Sequence, residues 1–316
     1  MHITFRPIRP EEIPEASYLV DAAYAPQVRE LYGATRRGRW QHYDEAKIKS
    51  YVEREEEGVR VGLWRDKLIT LNICRSYGSL GWFHTLAVHP KFQNQGIGRQ
   101  AVEDAETYLS NRGVTSLALM TWPTAIKNLA FYQQQGYRLT GLSVYAYREA
   151  STPLISGASP FYAQTYGSFP PDDEARAQDA MRALCQKITL GLDYTAWVTW
   201  TQRQSFAETL LLWRDGQLQA LAISHFLPNL HWAEGKLLLL APALSDVEQR
   251  WALEHLRLWV RSRQRDTFGF PVDLTSDFAR ALLLPQNFKL FAESMVNMVK
   301  GADLPDPAVH FVRFGG

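Results

Sequence analysis

The sequence predicts an α/β protein that contains the same fold twice. Three segments of the first half recur in the second half in the same order, at offsets of 149, 154 and 151 residues: 63–68 recurs at 212–218, 86–88 at 240–242, and 136–139 at 287–290. Ordered matches at nearly one offset indicate an internal repeat. Within each copy, short apolar strand segments alternate with segments of helical periodicity, which is typical of an α/β protein.

The elements of the first copy follow from periodicity and turn residues. Residues 97–112 place Ile97, Ala101 and Leu109 on one helical face, and residues 115–121 are apolar on both sides, as in a strand covered on both faces. Asp215-Gly216 favours a tight hairpin turn in the second copy. The complete prediction for the first copy is a strand at 3–8, helices at 10–24 and 43–57, strands at 59–65, 68–76 and 81–88, a helix at 97–112, a strand at 115–121, a helix at 124–135 and a strand pair at 137–148.

The repeat predicts two domains, at residues 1–149 and 173–316. Residues 150–172 are rich in Ser, Pro and Gly and are predicted to form the linker. The second copy is predicted to open with an amphipathic helix near residues 173–188. A chain of 316 residues is about the right length for two such domains.

Composition excludes several classes of partner. A net charge of +1 argues against nucleic acid, whose phosphates require a basic face. No apolar run approaches the roughly 20 residues that span a bilayer, and residues 1–6 do not have the order of a secretory signal. Cys74 and Cys185 are far apart in a cysteine-poor chain, which favours the reducing cytoplasm. No metal site is predicted, and the sequence does not indicate an oligomeric state.

A glycine-containing turn follows the apolar strand that ends at residues 86–88. Because Gly96 and Gly98 lack a Cβ, the backbone N–H groups of residues 94–99 can converge on one small volume. The positive end of the following helix adds to their field. The segment is therefore predicted to bind a pyrophosphate.

Two other phosphate-binding motifs fail at this turn. A nucleoside-triphosphate loop requires Gly-Lys followed by Ser or Thr, but Gly98 is followed by Arg99 and Gln100. Residues 96–101 match the dinucleotide pattern, but seven residues separate the strand from Gly96, and no acid follows the next strand, which ends at Thr121.

The turn resembles the coenzyme A loop of the GNAT superfamily of N-acetyltransferases. Gln93-x-x-Gly96-x-Gly98 is similar to the Arg/Gln-x-x-Gly-x-Gly/Ala motif of that family, and residues 128–137 are similar to its second cofactor motif. The resemblance implies two tandem GNAT domains, each a mixed, mostly antiparallel sheet with flanking helices, and acetyl-CoA as co-substrate. It also implies a set of cofactor-binding residues: backbone N–H groups of Asn94, Gln95, Gly96, Ile97, Gly98 and Arg99 on the pyrophosphate, the strand edge at Leu86, Ala87 and Val88 on the pantetheine arm, and Asn128 and Gln93 beside them.

The same resemblance suggests how protons move. Tyr132 lies one helical turn after Asn128, and the resemblance gives it the role of general acid to the coenzyme A thiolate. The carboxylate that many members carry early in the strand is replaced by Trp82. His84, two residues later, is either part of a water-mediated proton relay or a hydrogen-bonded core histidine; the sequence leaves both open. Acceptor contacts are expected between Tyr24 and Tyr43, where Arg36, Arg37 and Arg39 lie.

The second copy lacks these features. Residues 243–248 contain no glycine and carry Asp246 and Glu248, which would repel a pyrophosphate, and an offset of 151 places Leu283 at the position of Tyr132. The second domain is therefore expected to be degenerate and structural, or a wall of the acceptor pocket. The expected function is transfer of an acetyl group from acetyl-CoA to a primary amine of a small molecule or peptide. The alternative is a non-catalytic acyl-CoA-binding sensor or assembly module.

Overall fold

The first half of the chain contains six strands and four helices among the residues that the structure describes. The structure is a computed structural model and describes residues 2–32 and 43–312. In chain order the elements are β1 Thr4–Pro7, α1 Ile13–Tyr32, α2 Glu45–Arg54, β2 Val59–Trp64, β3 Lys67–Tyr77, β4 Leu80–Val88, α3 Ile97–Ser110, β5 Ser116–Thr121, α4 Ile126–Gln134 and β6 Arg138–Glu149.

The second half repeats this succession with one addition at its end. Its elements are β7 Tyr162–Thr165, α5 Pro171–Ile188, α6 Thr195–Thr201, β8 Ala207–Arg214, β9 Gln217–His225, β10 Trp232–Leu240, α7 Asp246–Ser262, β11 Thr267–Asp273, a π-helical turn Ala279–Leu283, β12 Lys289–Gly301 and β13 His310–Val312. The added element is β13, for which the described part of the first half has no counterpart.

The two halves share one continuous sheet. Its strand order is β1-β2-β3-β4-β5-β12-β6-β11-β10-β9-β8-β7, with β13 paired to β10. Strand β12 of the second half therefore lies between β5 and β6 of the first half. Likewise, β6 lies between β12 and β11 of the second half. Each half thus completes its part of the sheet with the last long strand of the other.

Helices cover both faces of the sheet. Helices α1 and α2 pack on one face through Ala16, Leu19 and Ile48. Helix α3 covers the other face of the first half, where Val102 contacts a cluster that includes Met298 of β12. A side chain of the second half thus belongs to the core beneath the predicted cofactor helix.

The repeated hairpins confirm the predicted tight turns. Arg65 and Asp66 join β2 to β3 with φ of 49° and 62°, and Asp215 and Gly216 join β8 to β9 with φ of 51° and 73°. Two consecutive residues with positive φ match the twist of the flanking antiparallel strands.

Four details differ from the sequence prediction. The predicted strand pair at 137–148 is the single strand β6, because its neighbour on each side comes from the second half. Helix α1 continues through Pro26 to Tyr32, since its apolar face extends to the buried Val28. Strand β7 lies inside the segment predicted to be a linker, so the second half opens with a strand. The domain boundaries themselves stay a prediction.

The fourth difference concerns the offset between the cofactor strand and its counterpart. Residues 80–82 of β4 pair with β5, and residues 232–234 of β10 pair with β11. Their offset is therefore 152 residues, not 154, and Leu86 and Val88 correspond to Leu238 and Leu240. The sequence match aligns Leu86-Ala87 with Leu240-Ala241, whereas the prolines that follow the two strands, Pro90 and Pro242, already have the offset of 152.

Candidate active site

A cleft opens between β4 and β5. These parallel strands pair only at residues 80–82 and 116–118 and then diverge. The N–H of His89 donates to the carbonyl of Ile69 on β3, and antiparallel residues alternate in direction. The N–H and C=O of Ala87 therefore face β3, whereas those of Leu86 and Val88 face the cleft. Of the three residues predicted to pair with a pantetheine arm, only Leu86 and Val88 offer it backbone groups.

The cleft ends at the glycine turn. Gly96 caps the N-terminus of α3 with a φ of 77°, and Asn94 has a φ of 59°. Residues 93–96 are exposed, and the Gln93 side-chain amide donates to the Val88 carbonyl over 3.0 Å, which ties the turn to the end of β4. The first N–H groups of a helix have no intrahelical acceptor, so those of α3 are available at the end of the cleft, beside the glycine turn.

Gly98 leaves space where the turn meets the cleft. A Cβ at this position would lie 3.5 Å from Phe131 Cζ and 3.9 Å from Val88 Cγ2, which are ordinary contacts. Its side chain would therefore stand between β4 and α4. Arg99 is exposed and pairs through Nε with Glu103 Oε1 at 2.9 Å, so its guanidinium is held along the outside of α3.

Tyr132 lies in an aromatic cluster beside the cleft. Its ring centroid is 6.1 Å from Phe83 of β4, 5.1 Å from Phe131 and 5.9 Å from Tyr137. Burial raises the pKa of the Tyr132 phenol above its ordinary value, so the hydroxyl stays protonated at neutral pH. Asn128 is partly exposed one turn earlier on α4.

His84 lies at a β-bulge in β4. Ile73 pairs with Thr85 and Cys74 with Phe83, so His84 is the extra residue opposite β3. Bulges often redirect a side chain near a functional site. The His84 Nδ1 is 3.2 Å from the Tyr43 hydroxyl and 3.1 Å from Thr85 Oγ1. Its ring also packs against Tyr51, with 4.9 Å between centroids.

Tyr24 and Trp122 also border the cleft, although no motif singled them out. The Tyr24 hydroxyl donates to the Leu86 carbonyl over 3.3 Å, and its ring meets Trp122 edge-on at 6.4 Å. From the sequence alone, Tyr24 is named only as the start of the acceptor segment, because a lone aromatic residue on a helix is not a specific signal of a binding site. Of that segment, Arg36, Arg37 and Arg39 lie outside the described residues.

In the second half, the corresponding cleft is filled by the chain itself. Strand β13 pairs with residues 237–239 of β10, and the N–H of Leu240 donates to the Val309 carbonyl over 2.9 Å. Leu240 is the counterpart of Val88, so β13 takes the strand edge that is open in the first half. The side chain of Glu248 caps the start of α7 by accepting hydrogen bonds from the Ser245 backbone N–H and hydroxyl. Glu248 also forms an ion pair with Arg214.

Two searches of the described residues bear on other kinds of site. No three side chains of the types His, Cys, Asp and Glu come together in an arrangement that could hold a metal ion. Among the same residues, no helix combines the length and apolar character needed to cross a bilayer.

Part of the chain matches a known protein family. Residues 25–137 match the model of the acetyltransferase (GNAT) family. The uncharacterized protein YxbD of Bacillus subtilis is 41% identical over 58 residues, and this match covers 18% of the chain and 36% of YxbD, about a third of that relative's length.

Similar solved structures share the fold of nearly the whole chain. A putative acetyltransferase from Pyrococcus horikoshii superposes with a TM-score of 0.65 at 12% identity, covering 99% of this chain and 95% of its own. A GCN5-related N-acetyltransferase from Sphaerobacter thermophilus gives 0.59 at 15% identity, covering 96% and 98%. A tandem GNAT protein from the clavulanic acid biosynthesis pathway gives 0.54 at 12% identity, covering 96% and 100%. These likenesses show the fold alone.

Proposed function

We propose that this chain, which contains a domain of the GNAT superfamily, transfers an acetyl group from acetyl-CoA to a primary amine of a small molecule or peptide. The family supports acyl transfer in general, and the donor, the acceptor class and the direct mechanism are our proposal. The observation that carries it is the open edge of β4 at Leu86 and Val88, which runs into the exposed N-terminus of α3.

The residues of the cleft fit acetyl-CoA. Backbone N–H groups of residues 94–99, of which 94–96 and 99 are exposed, would hold the pyrophosphate with help from the α3 dipole. The cleft-facing N–H groups of Leu86 and Val88 would pair with amide carbonyls of the pantetheine arm, as in strand addition, beside backbone carbonyls that accept from Tyr24 and Gln93. The space at Gly98 lets the cofactor pass between β4 and α4, and Asn128 lies on the α4 side of that passage.

Two proton movements are needed in direct transfer. The attacking amine must be neutral, and the departing sulfur must be stabilised. Tyr132 is suited to the second task because its raised pKa keeps the phenol as a hydrogen-bond donor beside the cleft. His84 is our candidate for the first task. In the tautomer that donates Nδ1–H to the Tyr43 or Thr85 hydroxyl oxygen, Nε2 is the atom that would accept the proton, directly or through water.

A covalent acyl-enzyme is not part of the proposal. Cys74 is fully buried, and burial raises the pKa of its thiol, which keeps it in the unreactive protonated form. Cys185 is buried in the second half, and burial raises the pKa of its thiol to about 12. Both thiols are free, and a cytoplasmic location remains a prediction that rests on them.

The test is acetyl-CoA-dependent thiol release with a panel of amines, amino acids, peptides and polyamines. Amine-dependent release that disappears when the acceptor is acetylated beforehand supports the proposal. Tight coenzyme A binding, without release in the presence of any acceptor, would instead support a non-catalytic sensor or assembly module.

A further inference from the structure

A cavity of about 560 Å³ extends over the five central strands of the shared sheet. Its floor runs from Met120 on β5, across β12, β6 and β11, to Glu234 on β10. Four steps between neighbouring strands of about 4.8 Å make it roughly 19 Å wide. This volume lies in the range of sites that hold drug-sized molecules.

The lining of this cavity combines aromatic rings with carboxylates. The aromatic side chains are Tyr145, Tyr147, Trp232 and Phe291. The acidic ones are Glu234 and Glu293, and among the described lining residues there is no lysine or arginine. Aromatic faces and carboxylates attract cations, whereas two carboxylates disfavour an anionic ligand.

Two of these side chains are placed by an irregularity of β12. Leu290 pairs with Ala146 and Ser294 with Val144, so residues 291–293 bulge out opposite a single residue of β6. The bulge carries Phe291 and Glu293 to the cavity. Phe291 is 56% exposed and meets Tyr147 edge-on at 6.4 Å, so a large aromatic face is presented to the cavity and solvent.

The Glu293 end of the cavity adjoins the cofactor cleft. Trp122 Nε1 donates to Glu293 Oε1 over 3.4 Å, and Trp122 contacts Tyr24, whose hydroxyl donates to the Leu86 carbonyl. A short chain of contacts thus joins Glu293 to the strand edge. At the opposite end, Glu234 pairs with Lys236 at 2.9 Å.

We propose that this cavity is the acceptor pocket and that the acceptor is a cationic amine with an aromatic body. The ammonium group approaches the cleft beside Glu293, and the aromatic body lies along Phe291 and Tyr145 toward Trp232. The second half thus determines acceptor specificity, although it lacks a cofactor loop. This inference rests on the proposed N-acyltransferase function.

The test compares acceptors in the full-length chain by acetyl-CoA-dependent thiol release. We expect kcat/KM for 2-phenylethylamine to exceed that for n-propylamine at least tenfold, and glutamate to be inactive. Phe291→Ala should raise the KM for 2-phenylethylamine about fivefold, the size of one aromatic contact, and leave the KM for n-propylamine and acetyl-CoA unchanged. Glu293→Gln should raise the KM for both amines about tenfold, because a charge-assisted contact is lost.

Leu290→Ala is the matched control, since Leu290 is exposed and directly precedes the bulge but does not line the cavity. It should behave as wild type. Preference for glutamate or n-propylamine, or an unchanged KM for 2-phenylethylamine in Phe291→Ala, would overturn the inference while leaving the acyltransferase proposal intact. If no amine supports thiol release, the acyltransferase proposal fails. The pocket is then tested by calorimetry with the coenzyme A-loaded chain: binding of 2-phenylethylamine that is lost in Phe291→Ala would still support the pocket. Absence of binding to the wild type would overturn the pocket.

Discussion

Gly98 offers the sharpest test of the cofactor cleft. Its Cβ position touches Phe131 and Val88 only at ordinary contact distances, and it lies inside α3 without a positive φ. Gly98→Val should therefore fold normally, and the higher helix propensity of valine adds a few tenths of a kcal/mol. The added side chain would stand between β4 and α4, in the passage that the cofactor requires. In α7, the corresponding position already holds a valine, Val247.

The expected effect follows from ligand linkage. Coenzyme A at 100 times its Kd stabilises the wild type by about 2.7 kcal/mol. At roughly 2 °C per kcal/mol for a chain of this size, the melting temperature should rise by about 5 °C. A hundredfold loss of affinity leaves RT ln 2, about 0.4 kcal/mol, and a shift of about 1 °C.

Thermal unfolding with and without coenzyme A measures both quantities. Gly98→Val should melt within about 2 °C of wild type when no ligand is present and lose most of the shift. Val247→Ala, the control at the same position of the second copy, should keep the full shift. A Gly98→Val protein with an undiminished shift would refute the placement of the cofactor, and a wild type with no shift at millimolar ligand would refute the cleft as a coenzyme A site.

The Tyr132 hydroxyl, the second cleft and the shared sheet give three further predictions. Tyr132→Phe should lower kcat about a hundredfold and change the coenzyme A affinity less than twofold, because the hydroxyl acts mainly in the transition state. The control is Tyr137→Phe, which loses a hydrogen bond to Glu106 and should keep the wild-type kcat. Titration calorimetry should give one coenzyme A per chain, because β13 fills the second cleft; a stoichiometry of two would contradict this. A fragment of residues 1–149 should aggregate or lack a cooperative thermal transition, because β12 is missing between β5 and β6. A stable fragment that binds coenzyme A as tightly as the full chain would disprove this prediction.

Local patterns made the elements of the first half and the glycine turn predictable. Helix α3, strands β2 to β5 and the turn at Asp215-Gly216 follow from periodicity and turn chemistry, which act over a few residues. The expectation that the second copy binds no pyrophosphate rests on Asp246 and Glu248 and stays a prediction. Glu248 does cap α7, but the stronger obstruction is β13, whose pairing with β10 no local pattern indicates.

The pocket was beyond sequence analysis for a similar reason. Glu293 and Phe291 lie about 170 residues after Trp122 in the chain, yet they border the first cleft because β12 crosses into the first half. An amphipathic strand pattern shows which face a residue occupies but not which strand it pairs with. The repeat itself favoured two separate sheets, since each copy was expected to complete its own.

The strand exchange gives the second half a physical role at the first cleft. Strand β5 forms one wall of the cofactor cleft, and it is held by β4 only at residues 116–118, where the two strands still run together. Its other edge pairs with β12 along its whole length, from Ser116 to Thr121. Without β12, the diverging end of β5 would have no partner to fix its distance from β4. The second half therefore sets the width of the first cleft, and the same strand carries Glu293 to its mouth.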